Sequence, residues 1–154
     1  MKIKYLRPLA AVLVVGLAAL QFYRPARNLG EPEGPDSIIQ KHKVPEEVRA
    51  ILRRSCYDCH SNRTTYPWYA EVQPVRLWLD SHVNDGKRHL NFSNFAKYEP
   101  KRAAHKLDEV VDTLIGGSMP LKSYTLVHRD AVLSKAEIKL VTAWAEGLQD
   151  EIAP

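Results

Sequence analysis

Glu46-Glu47-Val48-Arg49-Ala50-Ile51-Leu52-Arg53-Arg54-Ser55-Cys56-Tyr57-Asp58-Cys59-His60 is the stretch whose reading decides the fold. Up to Arg54 it reads as helix: Pro45 suits the first turn, and Val48, Ile51 and Leu52 share one face. The helix then runs directly into Cys56-x-x-Cys59-His60, which uses both cysteines of the chain. That spacing reads as the covalent attachment site of a c-type haem. Two thiols add across the two porphyrin vinyl groups while the adjacent imidazole turns onto the iron, so one short turn supplies all three bonds.

Three other readings of the motif compete. A thioredoxin-like dithiol sits at a strand-to-helix junction, whereas a helix precedes this one. A structural zinc site needs four ligands, and no second cysteine pair or H-x3-5-H completes the set. A disulfide fits an exported chain but leaves His60 without a role.

Working outward, the 154 residues make one domain plus an accessory segment. The net charge of +4 is unevenly spread: Lys2, Lys4, Arg7, Arg24 and Arg27 fall in the first 29 positions, where there is no acidic residue. Removing those five from the 22 Lys and Arg leaves 17 against 18 Asp and Glu, a balance of −1. Two ionised haem propionates make it more negative. Nucleic acid is therefore excluded as a partner, because the domain lacks the basic footprint that phosphate binding requires.

Lys2, Lys4 and Arg7 precede an apolar run from Leu9 to Leu20 that continues through Gln21 to Phe22 and Tyr23. This pattern reads as a signal peptide or a signal anchor. A helix from Leu6 to Tyr23 would span about 27 Å, close to the roughly 30 Å hydrocarbon core if Arg7 and Arg24 snorkel. The expectation is a membrane helix over residues 1–23 that holds the protein in a bacterial inner membrane, with the domain facing the periplasm. Residues 24–43 read as a linker, since Gly30, Pro32, Gly34 and Pro35 interrupt any helix and Glu31, Glu33 and Asp36 keep it solvated. Residues 44–150 then form the haem-binding domain.

Three more helices are predicted. One opens near Pro74 with Val75, Trp78, Leu79, His82 and Val83 on a stripe and Gly86 as its stop. The next has Pro100 in its first turn, Ala104, Leu107, Val111 and Leu114 on one face, and Gly116-Gly117 at its end. The last begins at Ser134 with Glu137 completing a capping box. Strand signals are nearly absent. The fold class is all-α: a cytochrome c-like bundle of about four or five helices around one covalent haem, with the N-terminal membrane helix added.

Met119, in Gly116-Gly117-Ser118-Met119-Pro120-Leu121, is the one methionine besides the initiator. A lone methionine can be filler for irregular core space. It can also close the sixth coordination position opposite His60, giving His/Met ligation and a raised reduction potential. His82, on an apolar stripe beside Trp78, reads as a core histidine bonded to a backbone carbonyl or a propionate, or else as the competing ligand. Trp68, within Tyr66-Pro67-Trp68-Tyr69, is a candidate wall for the porphyrin, and Arg63 a candidate propionate partner. A carbonyl from the Pro67 or Pro74 region is expected to accept the Nδ1 proton of His60.

The order Cys56-x-x-Cys59-His60, Met119-Pro120, then Leu133-Ser134-Lys135-Ala136-Glu137-Ile138 resembles small single-haem cytochromes c. Residues Ser61 to Tyr69, His82 to Ser93 and Met119 to His128 resemble the bacterial haem-binding domain family, over about residues 38 to 148 and again at Gln21-Phe22-Tyr23-Arg24-Pro25. The resemblance implies covalent haem c and a periplasmic setting, and implies no defined reaction. Histidines between the haem motif and Met119 depart from ordinary cytochromes c. Two functions follow as expectations. One is a membrane-anchored electron carrier with an unidentified redox partner protein, and not an enzyme. The other is a haem-based sensor or peroxidase-like protein with a displaceable sixth ligand.

Overall fold

Prolines and one capping box decide where the long helices begin. The computed structural model describes residues 5–153. Its helices are α1 (Leu6–Leu20), α2 (Ile38–Lys41), α3 (Glu46–Ser55), α4 (Tyr57–His60), α5 (Val75–His89), α6 (Pro100–Ile115), α7 (Lys122–Val127) and α8 (Lys135–Ile152), with short 3-10 segments at Trp68–Glu71, Phe92–Lys97 and Arg129–Ala131. Pro45 and Pro74 stand just before α3 and α5, and Pro100 opens α6, positions where the missing N–H costs no hydrogen bond. Ser134 starts α8: its hydroxyl accepts from the Glu137 N–H while the Glu137 side chain returns to the Ser134 N–H. The architecture is all-α, and the one β-type pairing among the described residues is an isolated bridge between Leu29 and Arg63.

The core is assembled by α6 packed on α8, with α3 against α8. Leu107, Val111 and Leu114 meet Val141, Ala145 and Leu148, and Val48, Ile51 and Leu52 close the layer with Phe92 and Phe95. Arg54 of α3 reaches Glu137 of α8 at 2.7 Å, so the helix that carries the cysteines is tied to the capping box of the last helix.

The segment whose composition reads as a linker lies against this domain. Ile38 and Ile39 are buried in the core, the Asn28 side chain donates to the Ser61 carbonyl and to Thr64, and the Gly30 N–H donates to the Asn62 carbonyl at 2.7 Å. Arg53 of α3 grips the Glu33 carboxylate with two bonds of 2.5 and 2.6 Å. The acidic residues that look solvating in the sequence therefore include one that fastens the strap to α3.

Residues 1–4 of the expected membrane helix over 1–23 lie outside the described residues, and among the described ones that helix is not there. α1 is 15 residues long, about 22 Å at 1.5 Å per residue against a hydrocarbon core of roughly 30 Å. Among the described residues no helix is long and apolar enough to cross a membrane. α1 stops at Leu20 because the next residues turn to the domain. Gln21 and Gln73 clasp each other, with the Gln73 N–H donating to the Gln21 side-chain carbonyl at 3.0 Å and the Gln73 amide donating to the Tyr23 carbonyl at 2.7 Å. Arg24 donates to the Glu71 carbonyl, and a residue that precedes proline is disfavoured in a helix. With that helix fall the inner-membrane attachment, the periplasm-facing placement and the membrane-anchored form of the function that rested on it.

Candidate functional site

α3 hands the chain to the motif without a break: the Cys56 N–H donates to the Leu52 carbonyl, and the Cys59 and His60 N–H groups both return to the Cys56 carbonyl. Cys56 and Cys59 are free, half-buried thiols. Burial pushes the Cys56 thiol up to about 12 and the Cys59 thiol up to about 11, so both hold their protons at neutral pH. Tyr57 packs beneath the turn against Phe92, ring centroids 5.7 Å apart.

His60 is oriented by α5. Its Nδ1 lies 3.0 Å from the Leu90 carbonyl, and since a carbonyl can only accept, Nδ1 carries the proton and Nε2 is left unprotonated. Burial holds its pKa below the ordinary imidazole value, which keeps the ring neutral. The partner expected near Pro67 or Pro74 is thus Leu90, because α5 does not stop at Gly86 but runs to His89. Gly86 matters for a different reason, since a Cβ there would sit 2.5 Å from the Cys59 carbonyl oxygen. The glycine lets α5 pass directly against the attachment turn.

Beside this turn lies a cavity of about 440 Å³, within the size range of organic-ligand sites. Cys56, Cys59, His60 and Met119 all line it, and Leu52, Leu90, Phe92, Leu114, Leu133 and Val141 supply much of its apolar wall. The polar contribution includes Lys106, whose Nζ is 2.6 Å from Glu109. Ser55 also lines the cavity, and its buried Oγ has no hydrogen-bond partner. Two thiols, an oriented imidazole and a thioether facing one largely apolar chamber match the donor set of a covalently held haem.

The Met119 loop leaves α6 through a Schellman turn. Gly117 has φ of +67°, the Ser118 N–H donates to the Thr113 carbonyl at 3.0 Å and the Gly117 N–H to the Leu114 carbonyl at 3.2 Å. The Met119 N–H also reaches the Thr113 carbonyl, at 3.2 Å. Past Pro120, Tyr124 of α7 donates to an Asp58 carboxylate oxygen at 2.8 Å.

Two sequence candidates lie elsewhere. Trp68 is 80% exposed and does not line the cavity, so it does not wall it. Arg63 is exposed, away from the cavity, in the bridge with Leu29. His82 does line the cavity, with its ring 4.3 Å from Trp78 and its Nδ1 2.8 Å from the Trp78 carbonyl. The residues that sequence reading missed are Leu90, Gly86, Lys106 and the Asp58–Tyr124 pair. Of these only Asp58, inside the motif, had a positional signal.

The family described as "Haem-binding domain" matches the chain over residues 15–147. Comparison with curated proteins and with solved structures finds no match.

Proposed function

The chain belongs to the haem-binding domain family, and on that premise we propose that it holds one haem covalently and serves as a one-electron carrier. Cys56 and Cys59 would hold the haem covalently, His60 and Met119 would ligate its iron, and the chemistry supplied would be electron exchange rather than bond-making. One observation carries this reading: Cys56, Cys59, Met119 and a His60 whose Nδ1 is held by the Leu90 carbonyl all line one largely apolar cavity of about 440 Å³. When bound, the iron supplies a one-electron couple whose potential a methionine ligand raises.

The chain's own residues contribute in three ways. Leu90 keeps His60 in one tautomer and orientation, which a carrier needs because reorganisation of the ligands slows electron exchange. The apolar wall excludes water. Lys106 is the one lysine or arginine that lines the cavity among the described residues, and it is the cation suited to meet a propionate. His82 is the weaker ligand candidate because it lies on α5, one turn before Gly86, and α5 is the element that backs the attachment turn through Gly86 and Leu90. Met119 comes from a separate segment.

The test is optical. The ferric protein should show the weak red methionine-to-iron band, and Met119→Ala should abolish it while covalent haem survives acid-acetone extraction. A wild-type protein without that band, high-spin and quick to bind carbon monoxide when ferrous, would overturn the reading in favour of an open-site sensor or peroxidase-like protein.

A further inference from the structure

Asp58 stands between the two attachment cysteines, and its side chain is fully engaged. One carboxylate oxygen accepts the Thr65 N–H at 2.9 Å and the other accepts the Tyr124 hydroxyl at 2.8 Å. The Asp58 main-chain carbonyl accepts the Thr64 hydroxyl at 2.6 Å, so the acceptor itself is locked. Tyr124 is half-buried in α7, five positions beyond Met119. A phenol held by a partly buried carboxylate is a charge-assisted bond, roughly twice as strong as a neutral one.

The rest of α7 is thinly held. It is a helix of six residues with no buried side chain. His128, at its end, stacks on Tyr124 with centroids 4.1 Å apart, and its Nδ1 lies 3.1 Å from the Tyr124 carbonyl. That leaves Nε2 to accept the Tyr69 hydroxyl at 3.2 Å. The N-terminal side of the loop is fastened by the Thr113 carbonyl, which accepts from both Ser118 and Met119. Met119 is therefore suspended between the end of α6 and α7, and α7 is held to the attachment turn by Tyr124 on Asp58, with the Tyr69–His128 bond as a further tether at its far end.

We propose that Asp58 and Tyr124 are a positioning pair that ties the Met119 loop to the haem-attachment turn and so sets how firmly the sixth coordination position is closed. This rests on Met119 being the sixth ligand. The same motif residue then serves both sides of the haem: its neighbours hold the porphyrin and His60, and its carboxylate holds the segment that brings the opposing ligand. When the pair is broken the loop still has its α6 anchor, so the methionine remains in the fold but spends more time away from the iron.

Tyr124→Phe removes only the hydroxyl. Covalent haem content, helix content by circular dichroism and the spectrum of the ferrous low-spin state at low temperature should stay near wild type. The red ferric band should weaken and disappear at lower temperature than in wild type, and carbon monoxide should bind the ferrous protein on the order of tenfold faster, the change expected from losing one hydrogen bond to a charged group. Asp58→Ala should shift both readouts in the same direction, and the double variant should go no further than the stronger single one. A band and a carbon monoxide rate unchanged in Tyr124→Phe, with the band present in wild type, would overturn the pair alone. Absence of the band from the wild type would instead overturn the methionine reading, and the pair with it.

Discussion

The two sides of the cavity are built in different ways. On the attachment side, α3, the motif turn and α5 are pressed together: the Cys59 backbone touches Gly86, the His60 ring is fixed to the Leu90 carbonyl, and Leu52 and Phe92 are buried beneath. On the Met119 side a loop and a six-residue helix hang from a few hydrogen bonds to Thr113 and Asp58. Close packing has no intermediate setting, whereas a hydrogen-bonded strap can be loosened by degrees. The lesson is a division of labour: under the proposed function, the packed side would fix where the haem sits and the hydrogen-bonded strap would leave the Met119 position adjustable.

The largest effect should come from spoiling the packed side. In an ordinary helix Gly→Ala adds about 1 kcal/mol of stability, and Gly147 of α8, with nothing within 4 Å of an added Cβ, should behave that way. Gly86→Ala should reverse the sign. Its Cβ would meet backbone, the Cys59 carbonyl oxygen at 2.5 Å, which no rotamer can relieve, so overpacking should cost about 1–3 kcal/mol. Haem-to-protein ratio and thermal melting of both variants provide the check. If Gly86→Ala loads haem and melts like wild type, the attachment side is not as rigid as its geometry says.

A smaller effect belongs to the hanging side. Gly117 has the left-handed φ of +67° and open space around it, so Gly117→Ala adds backbone strain and no clash, about 1–2 kcal/mol. Asn, which tolerates that conformation, should lose less. Loss should show first in the red ferric band and only weakly in haem content. Equal stability of Gly117, Ala and Asn proteins in denaturant melts would remove the Schellman turn from the account.

These two glycines also show what the sequence could and could not tell. Cys56, Cys59 and His60 were legible because their chemistry is contained in one turn, whereas Met119 could equally read as core filler, and it takes the fold to place it on the same cavity as His60. The helix starts at Pro45, Pro74, Pro100 and Ser134 were legible for the same local reason. What depended on a partner far along the chain was not. Gly86 looks like a stop in isolation, and only the approach of Cys59 shows why α5 needs a residue without a side chain there. Leu90 is 30 positions from the imidazole it orients. The end of α1 is set by Gln73, 52 positions away, so the apolar run promised a longer helix than the chain forms. Trp68 shows the converse failure: an aromatic cluster announces contact area, but not which side of the chain meets solvent.

The smallest effect should be electrostatic and should fall on the packed side. Glu137 is held well below the usual carboxylate range, at about 2, first by the Arg54 guanidinium and then by the N–H and hydroxyl of Ser134. A carboxyl lowered on folding stabilises the folded state above its unfolded value, and that contribution is lost as pH falls from about 4.5 toward about 2. Both side chains are about a third exposed, at 34% and 28%, so solvent screening leaves well under about 1 kcal/mol. Glu137→Gln keeps an acceptor for the capping box, because glutamine serves there too, and removes only the charge facing Arg54. Urea melts at pH 7 should show a loss of a few tenths of a kcal/mol, and the difference from wild type should shrink as pH falls through that window. Glu33, lowered by Arg53, keeps the variant's own profile from becoming flat. A gap between Glu137→Gln and wild type that stays constant down to pH 2 would mean the α3–α8 brace is steric. The rigidity of the attachment side would then owe nothing to this ion pair.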